Sequence, residues 1–200
     1  MKSPELELKR GKRAAGYSLS ELVVAMAVAL VLIGIGMPSF LRAYHAYQLT
    51  NAASQLSDIL RLTRYEAIRL NKNVSCLIQP DPDSPGVTDA FADSDGNLSP
   101  GPTEKIVLLG NGGNIVDPGA VPAAGALLTK ANLPAATFAA PGTMSVPFDA
   151  RGAVATGKVT VFYLASTLGP EAGYRAVVLL PAGSSEVWTG DGTGYWGQLR

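Results

Sequence analysis

The sequence predicts an α+β protein, with one very long N-terminal helix followed by a β-rich domain. Two observations carry this. From Leu22 to Leu41 no side chain is charged, and a three- and four-residue apolar rhythm continues as far as Leu70. After Asn71 the chain breaks into short β-branched and aromatic runs separated by Gly, Pro, Asp and Asn.

The first element starts as a membrane segment. About 20 uncharged residues suffice to cross a hydrocarbon core, and Leu22–Leu41 meets that length. Lys2, Lys9, Arg10, Lys12 and Arg13 precede it, against Glu5 and Glu7. A basic flank of this kind stays in the cytoplasm, which places the C-terminal domain on the far side. A cleavable secretory signal would have an apolar region of about 7–15 residues and a small-x-small cleavage site. This run is longer, and "MPSFLRAYHAYQ" supplies no such site. A plain signal anchor leaves Glu21 unexplained. A charge embedded in a membrane costs on the order of 2–3 kcal/mol, less near the interface, so such residues tend to be paired and functional.

The residues around Glu21 resemble a family signature. "RAAG" followed by "YSLSEL", Arg13 to Leu22, is similar to the prepilin motif, in which a short basic leader ends in Gly. The resemblance implies that a prepilin peptidase cuts between Gly16 and Tyr17 on the cytoplasmic side and methylates the amine of Tyr17. Glu21 then becomes the fifth residue of the mature chain. Two positions depart from the pattern: Tyr17 stands where Phe is usual, and Ser20 where an aliphatic residue is usual. Physical chemistry supports the pairing independently. Cleavage would create a positive amine at Tyr17, four residues and about 6 Å along a helix from Glu21. Each helix could satisfy its own pair, helped by its N-terminal dipole. Alternatively, Glu21 of an incoming subunit takes the amine of one already assembled. Gly34, Gly36 and Pro38 weaken the later part of the span, and Pro38 resembles the pilin proline at which the helix loosens or kinks. A tolerated membrane-helix proline is the alternative.

Beyond the span, Leu49, Ala52, Ala53, Leu56, Ile59, Leu60, Thr63, Ala67 and Leu70 recur on one face, so a single helix of roughly 50 residues is expected from Ser18 to Leu70. Arg61, Arg64 and Arg69 are expected on its solvated side. His45, the sole histidine, lies with Tyr44 and Tyr47 where an interfacial aromatic belt would sit. Expected strands are Val74–Gln79, Lys105–Leu109, Met144–Phe148, Lys158–Leu164, Tyr174–Leu180 and Ser185–Trp188. The Ala- and Pro-rich stretch from Asp117 to Gly142 reads as a long surface loop with at most one short helical turn.

Composition limits the chemistry. The sole histidine, His45, is taken by the interfacial belt, and one cysteine cannot build a Cys-rich metal site; composition leaves only carboxylate chemistry open, and no catalytic residues, no metal and no cofactor are expected. Cys76, in "NVSCLIQ", reads as a buried inert thiol. Asp93, Asp95 and Asn97 surround Gly96, but their spacing does not fit a calcium loop, and a polar turn is expected. "GDGTGYWG" contains a formal G-x-G-x-x-G at Gly192, Gly194 and Gly197, with no following helix to hold a pyrophosphate. After Leu41, eleven Lys or Arg face thirteen Asp or Glu, and this slightly acidic balance does not suggest nucleic acid.

Further resemblance extends into the domain. "LRLTRYEAIRLNKNVSCL" is similar to the pilin helix end that turns into a first strand. "AFADSDGNLSPGPTEKIVLL", "VPFDARGAVATGKVTVFYL" and "YRAVVLLPAGSSEVW" resemble stretches of the H-class type II secretion pseudopilins and FimT-like minor pilins. In the first of these an aromatic strand, an Asp/Asn/Gly turn and a Glu-led strand follow one another. The resemblance implies a pilin-like fold with the helix packed on an antiparallel sheet. It divides the chain into a leader (1–16), a transmembrane and assembly segment (17–41), an amphipathic helix half (42–70) and a periplasmic β-rich domain (71–200). It also implies a non-enzymatic minor pseudopilin of a type II secretion or type IV pilus-like filament in the bacterial inner membrane. Its partners would be a prepilin peptidase, other pilin-like subunits and an inner-membrane assembly platform. A FimT-like pilin that binds DNA during transformation is the alternative.

Overall fold

The computed structural model describes residues 18–84, 87–102, 104–109 and 112–199. The chain divides into two compact units, residues 1–40 and 41–200. Helix α1, Leu19–Leu70, contributes to both.

In the first unit, every helical residue up to Phe40 is exposed. In the second, the same helix buries Leu49, Ala52, Ala53, Leu56, Ile59, Leu60 and Ala67, the stripe its periodicity predicts. Two polar residues share that stripe, and both are hydrogen-bonded. The Thr63 hydroxyl donates to the Ile59 carbonyl at 2.8 Å, and Ser57 shares a 2.8 Å hydrogen bond with Ser185.

Among the described residues, ten strands form two sheets. The first has the order β3-β2-β1-β6, all antiparallel, from β1 (Val74–Pro80), β2 (Thr88–Asp93), β3 (Ile106–Leu108) and β6 (Met144–Phe148). The second runs β10-β9-β8-β7-β4, from β4 (Asn114–Val116), β7 (Thr160–Ala165), β8 (Tyr174–Leu179), β9 (Ser185–Gly190) and β10 (Trp196–Gln198). Strand β5 (Thr137–Phe138) adds to β7 in parallel.

Strand alternation explains the layering. On β7, Phe162 and Leu164 join the cluster formed with α1 and with Cys76, Ile78 and Phe148 of the first sheet. Val161 and Tyr163 face the opposite way, against Leu127 of the short helix α2 (Ala124–Lys130) and against Trp188 and Trp196. A strand buried on both faces needs a continuous apolar run, which is why "TVFYLA" carries no charge. Each large side chain buried there contributes about 1.5–3 kcal/mol. The Tyr163 hydroxyl donates to the Ala124 carbonyl at 2.7 Å, and burial pushes its pKa up to about 12.

One residue breaks the apolar pattern and ties the layers together. Arg175 on β8 is only 7% exposed, and burial lowers its pKa. Its Nε donates to the Thr50 hydroxyl of α1 at 3.0 Å, Nη2 to the Ala46 carbonyl at 3.4 Å, and Nη1 to the Tyr174 carbonyl at 2.8 Å. All these acceptors are neutral, so the guanidinium serves as a hydrogen-bonding fork between helix and sheet.

Three expectations need correction. The stretch from Asp117 to Gly142 is not merely a surface loop. It holds a 3-10 turn (Pro118–Ala120), α2 and β5, and it buries Val121, Leu127 and Ala139. Its alanines and prolines disguised a packed layer, because small residues give little periodic signal. Arg61 and Arg69 are solvated beside Asp58 and Glu66, at 3.9 and 2.6 Å, but Arg64 is not. The Arg64 stem lies under the turns at Gly152 and Gly183, and its Nε is buried. Gly183 has φ +80°, and an added Cβ would strike the Gly152 carbonyl oxygen, so this turn requires glycine. Finally, strands β4, β5 and β10 join those expected from the residues, and β2 stands where the resemblance implies an aromatic strand.

Candidate assembly site

The site is built at the start of α1. Ser18 precedes the first helical residue, Leu19, and therefore occupies the N-cap, which places Glu21 at the third helical position. "Ser18-Leu19-Ser20-Glu21" has the S-x-x-E sequence of a capping box and forms its glutamate arm. The Glu21 carboxylate accepts the Ser18 backbone N–H at 3.0 Å, satisfying a donor that the helix leaves open. Ser18 and Ser20 share a 2.8 Å hydroxyl hydrogen bond. The helix start also carries partial positive charge, which favours an anion at this position. Reading Glu21 only as half of an ion pair overlooked this local role, although the S-x-x-E signature was visible in the sequence. Gly16 and Tyr17, the expected cleavage pair and methylation site, lie outside the described residues.

Beyond Glu21 the surface changes completely. From Leu22 to Leu41 the large apolar side chains are between 43% and 73% exposed. An apolar surface on this scale marks contact with a membrane or with other protein. The segment is long and apolar enough to cross a membrane, since its 20 residues rise about 30 Å as a helix. The helix runs through Pro38, which removes the donor that the Gly34 carbonyl would ordinarily receive. Nothing packs against Gly34 or Gly36 where a Cβ would stand.

The other residues singled out in the sequence fall outside this site. The Tyr44 and His45 rings are tilted against each other at 6.3 Å. Cys76 is wholly buried, and burial pushes its thiol up to about 12. The Asp93 turn is the expected polar one: Asp93 Oδ1 accepts the backbone N–H groups of Gly96 and Asn97 at 2.8 and 3.2 Å. Glu104 reaches back to accept from Ser94 N–H and Gly101 N–H at 2.7 and 2.9 Å. The glycines of "GDGTGYWG" lie in and after the β9–β10 turn, where Asp191 accepts the Thr193 N–H at 2.8 Å.

A long helix with an exposed apolar first stretch and an amphipathic second stretch packed on antiparallel sheet is a pilin-like α+β layout. The family model for "Type II transport protein GspH" matches residues 52–183, and the chain belongs to that family. It is therefore, at family level, a minor pseudopilin of type II secretion, from a family of structural subunits associating with other pseudopilins. No curated protein and no solved structure gave a match. The matched residues cover the second half of α1 and most of both sheets, and the capping box and apolar span lie before them.

Proposed function

We propose that the chain is trimmed between Gly16 and Tyr17 by a prepilin peptidase, methylated at Tyr17, and built into a type II secretion filament through Glu21. The observation that carries this is the position of Glu21: a lone carboxylate at the third helical residue of an otherwise uncharged, exposed apolar segment. Before assembly the carboxylate caps its own helix. In the filament it takes the N-terminal amine of a neighbouring subunit, where low dielectric strengthens the attraction. Residues 17–41 form the membrane and assembly segment, and 42–70 pack on the periplasmic domain 71–200. Pro38 is the point at which the helix loosens during packing. The platform in the inner membrane and the peptidase are the partners this cycle requires, with the domain periplasmic throughout.

Glu21→Gln separates the two roles. Glutamine keeps an oxygen for the Ser18 N–H and so preserves the cap, but it carries no charge. Membrane insertion is expected to be unchanged, while cross-linking of the variant into pseudopilin filaments falls at least tenfold. Wild-type incorporation of Glu21→Gln would refute charge pairing. Mass spectrometry of the mature N-terminus tests processing separately: a methylated Tyr17 is expected, and an intact Met1 would overturn the cleavage step.

A further inference from the structure

We propose that the open edge of β3, together with the face of α1 beside it, docks an edge strand of a neighbouring pilin-like subunit. The identity of the occupant rests on the filament reading; the geometry of the dock does not.

Register decides which groups are open. Strand β3 ends the first sheet and pairs only with β2. The Leu109 N–H donates to the Thr88 carbonyl at 2.8 Å, so these two residues form a hydrogen-bonded pair. Such pairs alternate with non-bonded ones along an antiparallel ladder. Val107, opposite Ala90, is therefore the next bonded residue, and the main-chain N–H and C=O groups of Ile106 and Leu108 point away from β2. Among the described residues no hydrogen bond reaches them. Val107 packs toward the core shared with α1, so the Ile106 and Leu108 side chains lie on the opposite face, 44% and 50% exposed.

Apolar edges are usually blunted by proline, lysine or a bulge, because an open edge is a template for another strand. Strand β6, at the other end of the same sheet, follows that rule. Its Pro147 has no N–H, and the Pro147 carbonyl already accepts the Ala155 N–H at 2.9 Å. The Ile-Val-Leu run of β3 carries no such block, and Lys105 stands before the strand rather than in it.

The surroundings define what the edge takes. It borders a groove of about 240 Å³ between Leu108 and Leu109 on one side and Tyr47, Gln48, Asn51 and Gln55 of α1 on the other. No acidic or basic side chain lines this groove, so a charged segment gains nothing there. Gln48 Oε1 is buried without a donor among the described residues, and a main-chain N–H is the kind of group it lacks. Open main-chain groups, alternate exposed apolar side chains and neutral amides together fit an extended, uncharged polypeptide added as a strand.

Two observations make that polypeptide part of a pilin-like subunit. The family to which the chain belongs consists of subunits that associate with other pseudopilins. The groove also begins at Tyr44, just past the apolar residues 22–41 whose exposed surface the filament reading gives to neighbours. A second copy of β3 fits less well. Two such edges paired antiparallel about a two-fold axis normal to the sheet would run their α1 helices in opposite directions, whereas helices sharing a membrane enter it from one side.

The test is photocross-linking of the full chain in membranes of the cells that make it. Leu108→Cys is labelled with benzophenone maleimide; the native Cys76 is wholly buried, so the introduced thiol is the one that reacts. Irradiation is expected to give a product with another pilin-like subunit, mapped by mass spectrometry to one of its sheet-edge strands. Tyr195→Cys, exposed on the far face of the second sheet, is expected to give none. Adding Ile106→Pro removes an outward N–H and leaves the ladder with β2 intact, so the product should fall about fivefold, as for one lost main-chain hydrogen bond. Ile106→Lys is the second variant should the proline chain fail to fold. A product only with lipid, a secreted protein or a second copy of this chain would overturn the dock, as would equal product from Tyr195→Cys. The same probe at Leu32→Cys reads filament contact alone. Product there with none from Leu108→Cys would overturn the dock and leave the filament reading standing; product from neither would overturn both.

Discussion

Leucines in α1 serve two different solvents, and replacing one in each half separates them. Leu56 is wholly buried against the sheets, whereas Leu32 is 65% exposed. Leu56→Ala removes three carbons from a close-packed core that can close only part of the gap, at a cost of about 2–5 kcal/mol. A value of about 3 kcal/mol in a unit of this size lowers Tm by about 6–12 °C. Leu32→Ala loses no protein contact of comparable size and changes membrane transfer by only a few tenths of a kcal/mol. Thermal melts in detergent can be followed by the fluorescence of Trp188 and Trp196, both buried on the far face of the second sheet. Leu56→Ala should shift the melt by the stated amount, and Leu32→Ala by less than about 1 °C. Equal shifts for the two variants, or none for Leu56→Ala, would refute the division of the helix into lipid-facing and core-facing parts.

Two further outcomes follow from burial. Cys76, with its pKa pushed up to about 12, is expected to resist a thiol reagent at neutral pH and to react at once in denaturant; rapid labelling of the native chain would contradict the packing around β1. The Tyr163 phenol ionises near pH 10 in the unfolded chain but only near about 12 in the fold, so its contribution is complete below pH 10 and is lost as pH rises toward 12. Tyr163→Phe should flatten that alkaline loss of stability while costing about 1 kcal/mol at neutral pH through the hydrogen bond to Ala124; an unchanged alkaline limb would locate the titration elsewhere.

How far the fold was legible depended on periodicity. Helix α1 was readable to within a residue because its apolar steps persist from Leu49 to Ala67. Strand β7 was readable because burial on both faces demands an unbroken apolar run, and β8 because only Arg175 interrupts one. The layer between Asp117 and Gly142 was not readable, since what buries Leu127 is the far side of a sheet formed by strands more than thirty residues later. The strand at Thr88–Asp93 followed only from the resemblance, since Asp89 and Asp93 interrupt its apolar run; both are buried there, one in a hydrogen-bonded turn and one without a donor. Arg175 was equally opaque, because its partners Ala46 and Thr50 come from an element about 125 residues earlier. At the site, the sequence carries the carboxylate, the apolar span and the S-x-x-E signature together; charge and hydropathy point to the first two, and only the helix start at Leu19 gives the third its meaning.

The fork of Arg175 also acts as a key for helix placement. Sliding α1 by one turn in one direction would bring Arg42 to the place of Ala46, setting two cations face to face, and would bring Ala46, which has no hydroxyl, to the place of Thr50. Sliding it the other way would keep a hydroxyl there, from Ser54, but would put Leu56 where Ala52 fits and Ala53 where Leu49 fills the core. An apolar stripe alone can tolerate a slipped alignment of helix on sheet. The buried guanidinium and the order of large and small residues together favour one setting of the helix on the sheet.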